Sequence, residues 1–288
     1  MRLMAAGALS FSVMTALIKA AGGGLPLFEI VTGRSLVVAL LAGTALRRQG
    51  RSLVPRETGL ILLRALLGFA ALSCYFYSVI HLPLADATVI YFTNPVLTAV
   101  AAAWLLRERM TRRDAGLVLL GLGGVLCVAR PGFLFGSAAA LDPVAVGLGL
   151  ASAFFGAAAY VTIRRMRHDP PLVIVFWFAV GTVVMGAPIV AHDFVGIGVA
   201  DALLLAGIGV ATHLGQLCIT WGFRLEPAGR ASAVGYLQIV FAALWGWLLF
   251  GEVPGAWTWV GAAVIVTATL ALARLHGLPD PASPARAG

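Results

Sequence analysis

PLADATVIYFTNPVLTAVAAAWLLRE at residues 83–108 and PAGRASAVGYLQIVFAALWGWLLFGE at residues 227–252 are one segment written twice. They superpose without a gap at a displacement of 144, half of the chain's 288 residues. Pro83 falls on Pro227, Ala87 on Ala231, Val96 on Val240, Ala99 on Ala243, Leu105 on Leu249 and Glu108 on Glu252. Further along, Arg130 falls on Arg274, each just after an apolar run. A displacement of half the length means that the whole chain is an internal repeat.

Outward from these segments the same apolar character recurs in blocks of about 20 residues, the length that crosses ~30 Å of hydrocarbon. Ten blocks stand out, at 3–20, 27–46, 58–80, 86–106, 114–129, 143–163, 172–191, 201–223, 228–250 and 256–273. The first resembles a signal peptide in length and in its leading Arg2, but nine spans follow it, and it is read as a retained helix. Each copy of the repeat therefore holds five spans. An odd number forces the second copy to insert upside down relative to the first, and inverted repeats are a characteristic architecture of secondary transporters.

Composition agrees. The chain is 60% hydrophobic and 11% charged, with a mean hydropathy of +0.96. Soluble domains carry about 25% charged residues. A net charge of +8 would suggest nucleic acid in a soluble protein, but here the basic residues gather in alternate loops, as the positive-inside rule requires. One side collects Arg2, Arg47, Arg48, Arg51, Arg56, Arg107, Arg109, Arg112, Arg113, Arg164, Arg165, Arg167, Arg224, Arg230, Arg274 and Arg286, and the other has Lys19 and Arg130. This predicts an all-α integral membrane protein of ten transmembrane helices with both termini cytoplasmic, multi-pass in the bacterial inner membrane, whose partners are the lipid bilayer and a small-molecule substrate and not nucleic acid. Cys74, Cys127 and Cys218 lie inside predicted spans with no ligand spacing, so neither a metal nor a cofactor is expected.

Ionisable residues at membrane depth are costly and therefore informative. Those available are Glu29 and Arg34 in the second span, Arg64 in the third and His213 in the eighth. Arg34 lies about one and a half turns deeper than Glu29, and either contacts substrate or gate, or makes an interhelical bond. Arg64 can snorkel to the cytoplasmic end. His213, Gln216 and Thr220 form a polar stripe at i, i+3 and i+7, suited to a cavity wall or to interhelical hydrogen bonds. Ser12, Thr15 and Lys19 repeat that spacing on the first span, and Tyr91, Asn94 and Thr98 do so on the fourth. Pro95 between them frees the Tyr91 carbonyl. The corresponding region of the second repeat carries Tyr236 and Gln238. Interrupted helices at matching places in two halves point to a midplane site, and the aromatic residues nearby suit an amphipathic organic solute better than a bare ion.

No hydrolase, metalloprotease or phosphate-loop motif occurs. His81 and Asp86 match the HxxxxD spacing of glycerolipid acyltransferases, but in a short loop on the outer side, and the second repeat has Leu225 and Arg230 there. A turn and helix cap explain the pair, and no enzymatic activity is expected.

HLPLADATVIYFTNPVLTAVAAAWLLRERMTRRDAGLVLLGLGGVLCVARPG, residues 81–132, resembles the first-repeat signature of the EamA-type branch of the drug/metabolite transporter superfamily. GYLQIVFAALWGWLLFGEVPGAWTWVGAAVIV, residues 235–266, resembles the second-repeat signature, with Arg107 standing in the first repeat where Gly251 stands in the second. FEIVTGRSLVVALL, residues 28–41, resembles the family's second helix and places Arg34 on its frequent arginine. The resemblance implies two inverted five-helix repeats around a central cavity, opened by alternating access. It divides the chain into a first repeat at 1–131, a connecting loop at 132–142, a second repeat at 143–276 and a disordered tail at 277–288.

It also implies a secondary transporter of a small amphipathic metabolite, either an amino acid, aromatic ones included, or a nucleoside-like compound such as S-adenosylmethionine. A proton is a candidate coupling ion. The alternative is a non-transporting membrane component or lipid-modifying enzyme on the same fold. The expected substrate-binding residues are Arg34, Tyr91, Asn94, His213, Gln216, Tyr236 and Gln238. Glu29, Pro95, Glu108 and Glu252 are expected to gate or to hold structure.

Overall fold

The structure is a computed structural model and describes residues 2–50, 52–94, 97, 112–130, 141–166, 169–225 and 237–276. The described residues form ten helices and no strand: α1 Arg2–Ala21, α2 Leu27–Arg48, α3 Thr58–His81, α4 Leu84–Tyr91, α5 Arg112–Ala129, α6 Pro143–Arg165, α7 Pro171–His192, α8 Val199–Leu225, α9 Leu237–Phe250 and α10 Ala256–His276. In hydrocarbon only an intra-segment hydrogen-bond ladder satisfies every backbone group, which is why the apolar blocks become helices. Their starts carry ordinary stop-and-start chemistry. Pro26, Pro83 and Pro170 precede α2, α4 and α7. Asp142 caps α6 by accepting from the backbone N–H groups of Val144 and Ala145 at 3.1 and 3.3 Å.

The packing makes the inverted repeat visible. The most extensive pairings are α3 with α6, α1 with α8, α5 with α10 and α2 with α7. Exchanging α1–α5 for α6–α10 turns the first pair into the second and returns each of the last two to itself. An approximate two-fold axis therefore runs between α2 and α7 and between α5 and α10. Adding the repeat displacement of 144 to the bounds of α2, 27–48, gives 171–192, the bounds of α7.

One core draws on both halves, with Ile18, Ile30, Phe76, Leu84, Ile90, Ile208 and Ile265 almost fully enclosed. The outward faces are as apolar as the interior: Leu36, Leu40, Leu62, Leu66, Leu119, Val184, Leu203 and Leu249 are all exposed. In water this surface would aggregate; in a bilayer it is solvated by acyl chains. Five described helices are long and apolar enough to span, at 27–48, 58–81, 143–163, 171–192 and 199–218, and shorter apolar helices occur at 5–21, 115–128, 237–250 and 256–268.

Lipid gives no hydrophobic force between helices, so contact depends on close van der Waals approach. At the α5–α10 crossing Gly124 and Gly261 face each other. A Cβ on Gly261 would stand 2.5 Å from the Gly124 carbonyl oxygen, a distance no side chain tolerates. The fourth helix stops at Tyr91; Phe92 and Thr93 form a turn whose amides bond back to Thr88 and Ile90 at 3.0 and 3.1 Å. Pro95, expected to interrupt this helix, lies outside the described residues.

The charge bias gives a topology test. In a background lacking the native cysteines, impermeant maleimide applied to intact cells is expected to label Phe194→Cys, on the connection between α7 and α8, and Val199→Cys, at the first residue of α8, both exposed. Arg47→Cys and Arg113→Cys should react only after permeabilisation. External labelling of Arg113→Cys would overturn the orientation.

Candidate functional site

Two features bring polar groups together: an ionic layer at one end of the bundle and a group of buried polar side chains at its centre. The layer forms where α1, α3 and α9 end and α4 and α10 begin. Lys19, at the last turn of α1, pairs with the Glu252 Oε1 atom at 2.5 Å and donates to the Leu82 carbonyl. The other carboxylate oxygen of Glu252 accepts from the Leu84 backbone N–H at 2.8 Å, capping α4 from the opposite repeat.

Beside this, Arg130 donates to Asp86 at 2.9 Å, and the Thr258 hydroxyl donates to the same carboxylate at 2.5 Å. Asp86 is 2% exposed and Arg130 adopts φ 45°, a backbone conformation uncommon outside glycine. The two basic residues on the charge-poor face are thus both neutralised, and in both cases a residue of the second repeat is bound to the first. Glu29 sits at the same end, with Oε1 accepting from the Val195 N–H at 2.8 Å. Glu108, the counterpart of Glu252, lies outside the described residues.

Deeper in the bundle, Arg34 on α2 is 2% exposed. Its guanidinium lies 5.9 Å from the centroid of Phe76 on α3, and Nε has no hydrogen-bond partner. Ring contacts continue from there: Phe76 to Tyr75 at 6.3 Å, and Tyr75 to Tyr91 of α4 at 4.6 Å. On the other side of Arg34, α8 approaches closely at Gly209, where an added Cβ would be 3.2 Å from the Arg34 carbonyl oxygen. One turn along α8 stands His213, buried, with Nδ1 unbonded, and Gln216 follows, half-buried.

Asn94 and Gln238 occupy equivalent positions in the two repeats and both are buried. Asn94 donates to the Ala153 carbonyl of α6 at 2.9 Å, and Gly156 makes room for it, since a Cβ there would be 2.6 Å from the Asn94 amide nitrogen. Trp245 of α9 donates to Ser12 of α1 at 3.0 Å. Tyr236 lies outside the described residues.

Of the residues singled out in the sequence, the structure therefore connects Arg34 and Tyr91 through Phe76 and Tyr75, and packs α8 against the α2 backbone at Arg34 one turn from His213. Asn94 turns toward α6, and Glu29 and Glu252 belong to the end of the bundle. Sequence reasoning did not find the partners of Lys19 and Arg130. The available signal was that these two are the basic residues on a face otherwise free of them. His81 and Asp86 do not meet: His81 stacks on Tyr77 at 4.0 Å while Asp86 holds Arg130 and Thr258. Among the described residues no group of three His, Cys, Asp or Glu gathers at one point.

The EamA-like transporter family matches residues 1–130 and again 143–274. The pseudopaline exporter CntI of Pseudomonas aeruginosa is 38% identical over 271 residues, covering 92% of each chain. Solute carrier family 35 member G1 of Homo sapiens is 30% identical over 240 residues, covering 75% of this chain and 65% of its own. A crystal structure of a protein 18% identical in sequence superposes with a TM-score of 0.63 over 94% of this chain and 98% of its own, which shows a shared fold.

Proposed function

This chain belongs to the EamA-like transporter family and is a multi-pass membrane transporter; on that premise we propose that it moves a small amphipathic organic metabolite, amino-acid-like in character, out of the cell across the bacterial inner membrane. The observation that carries this reading is the buried set of polar groups contributed by both repeats, among them Arg34, Asn94, His213 and Gln238, in a bundle whose outward helix faces expose many leucine and valine side chains. Membrane-depth polarity that faces inward serves a solute path, and here it adjoins the rings of Phe76, Tyr75 and Tyr91. Outward direction is carried over from the relative that bears the name of an exporter.

In this reading the repeats rock against each other about the axis between α2 and α7. The ionic layer of Lys19, Glu252, Asp86, Arg130 and Thr258 closes one side of the path, and its bonds across the repeats part when that side opens. Asn94 supports α4 against α6 beside the path, and His213, whose ring has an unbonded nitrogen, is the group through which a coupling proton would pass.

The test is efflux from proteoliposomes holding the pure protein, loaded with a mixture of amino acids, nucleosides and S-adenosylmethionine and followed by mass spectrometry, with and without an imposed pH gradient. At least one amino-acid-like solute should leave faster than from protein-free liposomes. Movement of no solute at all would replace transport by an accessory or enzymatic role.

A further inference from the structure

We infer that Arg34 is an anion anchor, so that the transported metabolite presents a free carboxylate to its guanidinium and lays an apolar body along the adjoining aromatic rings. This rests on the transport reading and adds a recognition chemistry to it. Arg34 lies roughly 10 Å below the outer end of α2, seven residues in at a rise of about 1.5 Å each. At that depth a guanidinium without an anion pays most of its desolvation cost unrelieved. Yet Nε makes no hydrogen bond, and no ion pair to Arg34 occurs among the described residues. Glu29, the acid nearest along α2, gives one oxygen to the Val195 amide instead. The contact with the Phe76 ring offsets only a small part of the cost.

A buried guanidinium attracts an anion and repels a sulfonium or ammonium cation that lacks a balancing carboxylate. The planar edge of arginine that includes Nε matches the two oxygens of a carboxylate, forming a bidentate pair that lysine cannot copy. The rings of Phe76, Tyr75 and Tyr91 follow one another from there, Phe76 and Tyr75 enclosed and Tyr91 partly exposed, and supply apolar neighbours for an aliphatic or aromatic side chain once the bundle opens. A phosphate would satisfy the same fork; a single guanidinium flanked by neutral rings suits the single charge of a carboxylate better than the double charge of a phosphate monoester.

The experiment uses proteoliposomes loaded with phenylalanine, leucine and histidine, each alongside its amide, together with glucose 6-phosphate. For the wild-type protein each free carboxylate is expected to leave about 10- to 100-fold faster than its amide, the range of a charge-assisted hydrogen-bonded pair. Arg34→Gln should bring that ratio close to one while leaving the melting temperature of the purified protein little changed, and Arg34→Lys should keep part of it. If Arg34→Gln does not fold, the wild-type ratio and Arg34→Lys decide the matter. Equal efflux of amides and acids by the wild type overturns the anchor and leaves transport standing. Preferential efflux of glucose 6-phosphate overturns the carboxylate assignment in the same way. Failure of every probe, together with failure of the broad mixture, takes the transport reading down with it.

Discussion

Asp86→Ala is expected to lower the stability of the protein by about 3 kcal/mol, the lower end of what breaking a buried ion pair costs. Asp86 is enclosed and holds two partners, Arg130 at 2.9 Å and Thr258 at 2.5 Å. Removing it leaves a guanidinium and a hydroxyl without their acceptor at the point where α4, α5 and α10 meet. Arg130 keeps a 19% exposed side chain, so part of its charge can be rehydrated, which is why the upper end of the range is not expected. The loss corresponds to roughly 5–10 °C in the melting temperature of the detergent-solubilised protein. Asp86→Asn, which retains an acceptor for Thr258 but not the charge, should fall between. A melting temperature for Asp86→Ala within about 1 °C of the wild type would show that this carboxylate is solvated and dispensable.

Glu252→Gln should have its main effect on which side of the transporter is open. The side chain keeps an oxygen for the Leu84 amide, so the helix cap survives, but the charge that holds Lys19 across the repeats is lost. Lys19 and Glu252 are both mostly enclosed, and a charge-assisted bond in that setting is worth about 1.5–3 kcal/mol. Spent on one state of a two-state equilibrium, that is a shift of roughly 10- to 100-fold toward the form open on this face. Thr88, fully buried one turn below Leu84, reports it. In a background without native cysteines, Thr88→Cys should react with external impermeant maleimide at least about 10-fold faster when Glu252→Gln is also present. Unchanged reactivity would make the Lys19–Glu252 pair a static clamp and not a gate.

What could be read in advance is unevenly distributed. The two five-helix repeats follow from a displacement of 144 residues, and the exchange of α3–α6 with α8–α1 in the packing is its physical expression. Arg34 stood out because a charge at that depth is expensive wherever the fold places it. Its neighbour Phe76 did not, because one phenylalanine among 15 carries no mark of which ring faces a cation. The stripe that contains His213 and Gln216 could be drawn from spacing alone, whereas the direction of Asn94, toward the Ala153 carbonyl of α6, could not.

The sequence by itself determined the class, the number of spans, their inverted pairing and the face on which positive charge collects. Each of these depends on composition and period along the chain, and a bilayer of fixed thickness converts both into helices of fixed length. Only the tertiary structure decided which polar groups meet. Glu252 reaches Leu84 across 168 residues and Thr258 reaches Asp86 across 172, through helices that pack by shape in a solvent with no preference for one apolar face over another. Hydrophobic periodicity sorts residues into lipid-facing and inward-facing sets, but the register between two inverted halves is set by glycine contacts such as Gly124 with Gly261 and by the few ion pairs themselves. These act between residues distant along the chain, and a single sequence holds no record of them.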